Sequence, residues 1–483
     1  MRPFFCACRT PARPCRIVPL ILSEIGFNLW STVLGAHERQ AGLKAPPVVQ
    51  MAIGSTTSAD AAGHLTDRRL GMFALVRDRL IKKGSLTLVL ASGATRTFGD
   101  GTGRPVTVRL HKRSLEWQLA LNPYLKLGEA YMDGTLTVDP PARIYDVLDV
   151  VLANVGMGWA HPLAAMIGYI RRAKRRFDQF NPVGRAKENV AHHYDLDAEL
   201  YDLFLDSDKQ YSCGYFETPE TSLEEAQFAK KRHIAAKLQL TPDCRVLDIG
   251  CGWGGMALYI AQETGAHVTG VTLSEEQHKI ATQRVAQAGL SDRVDIRLQD
   301  YREVEEQFDR IVSVGMFEHV GVRHYDEFAE KVRSLLTPDG VALIHTIGRL
   351  DVPGATNPWI AKYIFPGGYI PALSEVAPVL ERKQLLLNDL EVLRLHYAET
   401  LRHWRERFLA RWDAAVDLYD ERFARMWEFY LAGSETSFRH EGMVVFQFQL
   451  TREIGTLPIV RTYIEDWEHD HREAPERRVV SGG

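Results

Sequence analysis

The spacing of apolar residues changes along the chain and divides it into two regions. In the first region, residues 65–82 repeat apolar positions at helical spacing behind Thr66, a residue type that can cap a helix. Short runs separated by glycine-rich turns then predict strands and helices in mixed order, at 86–90, 106–110, 124–132 and 144–152. These elements predict a small α+β domain over residues 61–158.

From residue 189 onward, apolar runs typical of buried strands alternate with helical patterns. The helical patterns lie at 224–238 and 275–288, and the strand runs at 246–250, 266–273, 308–314 and 341–347. This alternation predicts a parallel, doubly wound, Rossmann-like α/β sheet over residues 189–460. Residues 443–450 predict a closing edge strand, and the charged tail at 461–483 is expected to be loose from Glu465.

Composition excludes several classes of protein. The chain has 483 residues, of which 45% are hydrophobic and 25% charged, so it is neither disordered nor a collagen-like or disulfide-stapled protein. Its 58 Lys and Arg nearly balance its 62 Asp and Glu, which gives no global attraction to nucleic acid. Any basic surface must therefore be local.

The N-terminal 60 residues are set apart from the predicted fold. Residues 17–34 are the most apolar stretch, but Glu24 and Asn28 interrupt it, so it would span a membrane poorly. Either this stretch is a targeting segment, or the start codon is assigned too early and Met51 opens the protein; we favour the second. The six cysteines suit a reducing compartment, and they are Cys6, Cys8, Cys15, Cys213, Cys244 and Cys251.

A basic run lies in the linker at 159–188, between the two predicted domains. Its five cations fall within six residues and are Arg171, Arg172, Lys174, Arg175 and Arg176. Such a run either contacts anionic lipid headgroups or forms the solvated face of a linker helix.

A glycine-rich turn at 248–255 (DIGCGWGG) follows the first predicted strand of the α/β region and opens a helix. Glycines there let the backbone approach a ligand closely, and the helix N-terminus favours an anionic group. Because the acid Asp248 lies inside the strand and Gly250, Gly252 and Gly254 follow at alternate positions, the pattern favours S-adenosylmethionine (SAM) over a dinucleotide. We expect the methionine carboxylate at the helix start and the ammonium near Asp248.

Polar residues at the end of the second predicted strand and in the segment before the third are candidates for the rest of the SAM site. Thr272, Ser274 and Gln277 stand where ribose hydroxyls are expected, although Ser274 and Gln277 also make a good helix cap. Tyr301 and Arg302 lie in a segment that could close on the adenine. We expect no metal at this site.

Several separate motifs occur in one order along the chain. They lie at 193–195 (HYD), 210–215 (QYSCGY), 248–255, 270–277, 315–321 (GMFEHVG) and 345–348 (HTIG). Together they closely resemble the cyclopropane-fatty-acyl-phospholipid synthases and the mycolic acid cyclopropane synthases, which are SAM-dependent methyltransferases. The resemblance implies that a methyl group passes from SAM to a cis double bond in a phospholipid acyl chain, after which loss of a proton closes a cyclopropane ring.

The resemblance also implies how the site handles the cation left by methyl transfer. An alkene is a weak nucleophile and water would quench the cation, so the pocket must be dry and hold one base. In the family the base is a bound bicarbonate. Matching positions give its ligands as the backbone around Cys213 and Ile347 and the side chains of Glu318, His345 and Tyr397, and they add Tyr211 and Ser212 to the cofactor contacts.

Each of these candidates has a structural alternative. Glu318 can form a salt bridge at a helix start, His345 can be a core histidine, and Tyr397 can be packing. A group of aromatic residues suits either an acyl channel or ordinary core, namely Trp359, Phe365 and Tyr369. Many relatives carry a cysteine where this chain has Ser434, so a thiol there is not required if the chain is active.

Two other functions remain open at this stage. The cation can instead lead to a methyl- or methylene-branched product, or the chain can be a non-catalytic lipid-binding relative. For the enzyme we expect a cytoplasmic protein, peripherally associated with the inner face of a membrane, whose partner is a membrane phospholipid. The oligomeric state stays open, with a homodimer among the alternatives.

Overall fold

The computed structural model describes residues 81–156 and 198–472. The first range folds as a four-stranded sheet of order β2-β1-β3-β4 with three helices. The strands are β1 Ser85–Val89, β2 Thr95–Phe98, β3 Pro105–Leu110 and β4 Leu136–Val138. The helices are α1 Ser114–Leu121, α2 Pro123–Met132 and α3 Ile144–Val155. In β3, Val106, Val108 and Leu110 are buried at alternate positions, as expected for a strand with one face on a core.

The second range contains a seven-stranded sheet of order β10-β11-β9-β8-β5-β6-β7. Its strands are β5 Arg245–Ile249, β6 His267–Thr272, β7 Val294–Leu298, β8 Phe308–Val314, β9 Leu336–Arg349, β10 Leu386–Leu393 and β11 Met443–Thr451. The helices between and around them are α4 Ala198–Asp202, α5 Leu223–Leu238, α6 Gly255–Thr264, α7 Glu275–Gln287, α8 Tyr325–Leu335, α9 Pro358–Tyr363, α10 Leu373–Arg382, α11 His396–Ala410, α12 Trp412–Leu418, α13 Glu421–His440 and α14 Tyr463–Asp470.

The sheet is parallel where the sequence predicts it and antiparallel at one side. Strands β9, β8, β5, β6 and β7 pair in parallel, which confirms a doubly wound, Rossmann-like fold. Strand β11 is antiparallel to both β9 and β10. The prediction that residues 443–450 form an edge strand is therefore wrong, because β10 covers β11 and is itself the edge.

The C-terminal tail also differs from expectation. Residues 463–470 form α14, which packs on α5 and buries Ile464. His233 on α5 lies between two carboxylates, with Nε2 2.6 Å from Glu391 and Nδ1 2.7 Å from Glu468. The expectation of a loose chain from Glu465 is thus wrong for residues 465–470, because contacts distant in sequence hold this helix.

The small domain packs on α13. Tyr131 donates a hydrogen bond of 2.6 Å to Glu428, and Trp359 donates from Nε1 to the Met132 sulfur at 3.2 Å. Glycine is required at Gly128, since a Cβ there would lie 2.6 Å from Trp359 Cδ1. Trp359 therefore joins the two domains rather than lining a channel, and Tyr369 is likewise core, with 2% of its surface exposed.

Several predicted features lie outside the described residues. These are the extension at 1–60, the basic run at 169–177, the motif at 193–195 and all but the last two residues of the helix predicted at 65–82, and those two are not helical. Within residues 81–156 and 198–472, no helix is both long enough and apolar enough to cross a bilayer.

Candidate active site

A cavity of about 180 Å³ opens at the carboxyl ends of β5, β6 and β8. The glycine-rich turn forms one wall, and Gly252, at φ +56°, borders open space where a Cβ would meet no atom within 4 Å. Every cofactor-binding residue predicted from the sequence lines this cavity except Gly254 and Ser274. The lining residues among them are Tyr211, Ser212, Asp248, Gly250, Gly252, Thr272, Gln277, Tyr301 and Arg302.

Gly254 and Ser274 instead occupy helix starts. Gly254 precedes α6 at φ +80°, and Ser274 accepts a hydrogen bond of 3.2 Å from the Gln277 N–H at the start of α7. Nearby, the Thr272 hydroxyl lies 2.9 Å from Gln277 Oε1. The capping alternative thus describes Ser274, whereas Thr272 and Gln277 face the cavity as one hydrogen-bonded pair.

Asp248 fits the ammonium end of SAM. It is 1% exposed, and within the described residues its Oδ2 atom has no hydrogen-bond partner. Burial raises the pKa of Asp248 to about 7, against the opposing attraction of Lys230. A buried carboxyl group with an empty acceptor position suits a cationic ligand group, and SAM carries one in its amino acid portion.

An acidic side chain lies close to the first residue of α6. The Asp208 carboxylate lies against Gly255, where a Cβ would come within 2.6 Å of Oδ2. Burial opposes ionisation of Asp208, but Lys231 and Arg284 outweigh it and hold the pKa of Asp208 below its usual range. Lys231 and Arg284 pair with Asp208, and the expectation that the methionine carboxylate binds at the start of α6 stays a prediction.

Glu318 lies behind the cavity, in a short 3-10 helix that follows β8. Its Oε1 accepts a hydrogen bond of 2.6 Å from the Ile347 N–H, while Oε2 is buried and has no hydrogen-bond partner in the described part of the chain. Burial raises the pKa of Glu318 to about 7, although the Ile347 N–H acts in the opposite direction. Met316 and His319, on either side of it, line the cavity.

His345 is buried on β9, two residues before Ile347 and on the same face of the strand. Its Nδ1 pairs with the Gln447 side-chain nitrogen at 3.2 Å. Burial, together with Lys230 and Lys237, lowers the pKa of His345 to about 3, so the ring is neutral.

Cys213 and Tyr397 share an aromatic cluster beside the cavity, and Ile347 packs against it. The Tyr397 ring lies 4.9 Å from that of Phe438, and the Gly214 N–H donates to Thr400 on the same helix as Tyr397 at 3.0 Å. Burial raises the pKa of the Cys213 thiol far above its usual range, so the thiol is protonated and is no nucleophile.

The residues that the sequence analysis assigned to catalysis therefore stand apart from the cofactor residues. Glu318, His345, Ile347, Cys213 and Tyr397 do not line the cavity but flank it. Glu318 and Ile347 are in direct contact, and Oε2 of Glu318 is left without a hydrogen-bond partner in the described residues. The Ile347 N–H is already used by Glu318, so Ile347 holds the carboxylate rather than presenting a free donor.

Sequence reasoning missed several cavity residues. Lys230 is the most telling, since it lines the cavity yet lies in the strongly basic stretch 229–237 (AKKRHIAAK), which suggests a solvated helix face. Pro366, Gly367 and His319 also contribute. Phe365, a candidate for the acyl channel, is half-buried and its ring lies 6.0 Å from that of Tyr430.

Comparisons with known proteins agree with this geometry. A family model described as mycolic acid cyclopropane synthetase matches residues 183–448. The cyclopropane-fatty-acyl-phospholipid synthase of Escherichia coli K12 is 39% identical over 350 residues, which cover 72% of this chain and 89% of that protein. Tuberculostearic acid methyltransferase UfaA1 of Mycobacterium tuberculosis is 36% identical over 401 residues, which cover 79% and 92%.

A solved relative gives the fold comparison. Mycolic acid cyclopropane synthase CmaA1, complexed with SAH and CTAB, is 33% identical and aligns with a TM-score of 0.52 over 56% of this chain and 99% of its own. The predicted family, fold class and enzyme class are confirmed by these matches. The chain belongs to the mycolic acid cyclopropane synthetase family and is a SAM-dependent methyltransferase.

Proposed function

We propose that the protein is a cyclopropane-fatty-acyl-phospholipid synthase, acting on the cis double bond of an unsaturated phospholipid acyl chain. The observation that carries the proposal is Glu318, a buried carboxyl group with one unpartnered oxygen directly behind the cofactor cavity. When bound, SAM supplies a methyl group to an alkene carbon, and bicarbonate accepts the proton whose loss lets the carbon–hydrogen electrons close the ring.

The residues beside the cavity support this chemistry by excluding water. Tyr201 packs against Trp253 at 5.0 Å between ring centroids, and Tyr211 stacks on Trp404 at 5.2 Å. Tyr211 and Trp253 line the cavity, and the buried rings of Tyr201 and Trp404 pack behind them, so a cationic centre in the cavity would meet these two aromatic side chains.

Glu318 and His345 support a small anionic base. With a pKa of about 7, Glu318 is partly protonated at neutral pH and can donate a hydrogen bond from Oε2 to an anion. The neutral ring of His345 adds no charge that would bind the anion too tightly to act as a base. We assign to Tyr397 and to the backbone at Cys213 the remaining contacts, as the family resemblance implies.

The direct test is incubation of the purified protein with SAM and vesicles of a monounsaturated phospholipid. We expect the acyl chain to gain one CH₂ unit and to lose its alkene protons, with high-field cyclopropane protons in the NMR spectrum of the product. A reaction without SAM is the control. Recovery of unmodified lipid from protein that binds SAM would rule the proposal out.

A methyl-branched product is the second candidate. It is favoured by the 36% identity to tuberculostearic acid methyltransferase UfaA1, which extends over 79% of this chain. Formation of the methyl branch requires a hydride donor that reduces the cation, so the same NMR experiment is run with and without a reduced nicotinamide; a branched product shows a methyl doublet and no ring protons. A methylene branch would instead give two vinylidene protons.

Peripheral membrane contact is part of the proposal, since the substrate lies in a bilayer. Three exposed apolar side chains on α1 and α2 support it, with 57% of Trp117, 52% of Leu121 and 47% of Tyr124 exposed. The basic run at 169–177 would add attraction to anionic headgroups. Replacing its five cations by glutamine should weaken binding to anionic vesicles most at low salt; unchanged binding would return the run to a solvated linker.

A further inference from the structure

Lys230 is a buried lysine whose partners are neutral. Its side chain is 1% exposed, and Nζ donates to Gln210 Oε1 at 2.6 Å and to Ser212 Oγ at 2.8 Å. Within residues 81–156 and 198–472, no carboxylate oxygen lies within 4 Å of Nζ. An ammonium group has three donors, and a buried cation without an anionic partner is costly.

The neighbouring buried cations of α5 are all neutralised. Lys231 pairs with Asp208, Arg232 with Glu217 at 2.7 Å, and Lys237 with Glu391. Lys230 is thus set apart from them by its lack of an ion pair and by its position on the cavity wall. Burial lowers the pKa of Lys230 to about 8, a cost that an anion bound beside it would offset.

Two groups of opposite charge therefore line one cavity, and neither forms an ion pair with a protein group in the described residues. Asp248 offers an empty acceptor, Oδ2, Lys230 offers a donor, and the charge of Lys230 lowers the pKa of Asp248 against the effect of burial. A ligand group that carries both an ammonium and a carboxylate on one carbon matches this pair. The start of α6 is the alternative place for the carboxylate, and the Asp208 side chain beside it is paired with Lys231 and Arg284.

We propose that Lys230 binds the carboxylate of the amino acid portion of SAM, with Gln210 and Ser212 holding its ammonium in place and Asp248 receiving the amino group. Lys230 would then select ligands that retain the free amino acid. The inference depends on the cofactor class and not on the identity of the lipid product.

The test compares three ligands by calorimetry: S-adenosylhomocysteine (SAH), its decarboxylated analogue, and 5′-methylthioadenosine, which lacks the amino acid portion. For Lys230→Met we expect SAH to bind about 10- to 100-fold more weakly, the range for a lost charge-assisted hydrogen bond, with little change for the two ligands that lack the carboxylate. Lys231→Met is the matched control, because Lys231 is adjacent and buried but does not line the cavity. It should not change the ratio between SAH and its decarboxylated analogue.

Equal weakening of SAH and decarboxylated SAH in Lys230→Met would overturn the proposal and leave Lys230 a packing residue. If Lys230→Met does not fold, Lys230→Gln keeps the polar contacts while removing the charge. The ratio of its affinities for SAH and decarboxylated SAH then tests the proposal in the same way. Because all readouts are binding constants, failure to detect cyclopropane product would not affect the outcome.

Discussion

Asp248 and Glu318 are two buried carboxyl groups at the ends of the neighbouring strands β5 and β8, and their surroundings differ. Burial raises the pKa of each to about 7, and each has one oxygen without a hydrogen-bond partner in the described part of the chain. Asp248 lines the cavity opposite a cation, Lys230. Glu318 accepts a hydrogen bond from the backbone of β9, the strand that also carries the neutral ring of His345.

The different surroundings of Asp248 and Glu318 indicate two different roles, which their similar pKa values alone would not distinguish. A carboxyl group that shares a cavity with a lysine is arranged for a ligand with charges of both signs. A carboxyl group held by one backbone N–H in a neutral shell is arranged to exchange a hydrogen bond or a proton with a small partner. The following experiments address one group at a time.

The largest effect is expected for Glu318→Gln. The amide can still accept the Ile347 N–H but cannot exist as a carboxyl group, so turnover should fall by about 100-fold or more while SAH affinity stays within about twofold. Single-turnover assays on unsaturated phospholipid vesicles and calorimetry with SAH measure the two quantities. Glu330→Gln, at an exposed glutamate on α8, is the control and should behave as the unmodified protein.

A different result would revise the assignment. If Glu318→Gln kept full activity, Glu318 would not belong to the site that holds the base. If it lost SAH binding in step with turnover, Glu318 would belong to the cofactor cavity and the contrast with Asp248 would disappear.

The second effect is expected for Asp248→Asn. Removal of the negative charge that faces the ligand ammonium should weaken the binding of SAH by about 10- to 100-fold. Binding of 5′-methylthioadenosine should change little, because it has no ammonium. Equal losses for both ligands would mean that the substitution disturbs the glycine-rich turn instead.

The sequence was most informative where a site is built from residues adjacent in the chain. The turn at 248–255 follows its strand directly, so Asp248, Gly250 and Gly252 could be placed at the strand end before any contact was known. Tyr301 and Arg302 were assigned through the family resemblance, because the strand before them, β7, was not predicted. In the turn at 248–255, residues that are neighbours in the sequence are also neighbours in the site, so the local pattern was enough to place them.

Long-range packing explains what the sequence did not show. Lys230 and its neighbours look like a solvated helix face until β10 and α14 cover α5 with Glu391 and Glu468. The edge strand was misplaced because β10 has a mixed polar and apolar pattern, so its pairing with β11 was not evident. Ser434, which replaces a cysteine common in relatives, is half-buried on α13, and nothing in the structure gives it a chemical role.

The third prediction separates the two acids by the pH dependence of stability. Each has a folded-state pKa near 7, above its ordinary value of 3.8 for Asp248 and 4.5 for Glu318, so the folded state binds more protons across this range. The free energy of unfolding should therefore fall as pH rises toward 7, by about 1.4 kcal/mol per pH unit for each acid, and level off above 7. Urea unfolding at a series of pH values measures this free energy. In Asp248→Asn and in Glu318→Gln, its fall per pH unit should be smaller by the contribution of the one acid that was removed.

Saturating SAH should remove only the contribution of Asp248 to the pH dependence of the free energy of unfolding. The ammonium of SAH stabilises the ionised Asp248 carboxylate and therefore lowers the pKa of Asp248 toward its ordinary value. In Asp248→Asn the slope that remains comes from Glu318, and SAH should leave it unchanged. In Glu318→Gln the slope comes from Asp248, and SAH should flatten it. If SAH flattened the slope in both variants equally, both carboxyl groups would sense the cofactor directly, and the division between a cofactor acid and a base-site acid would not hold.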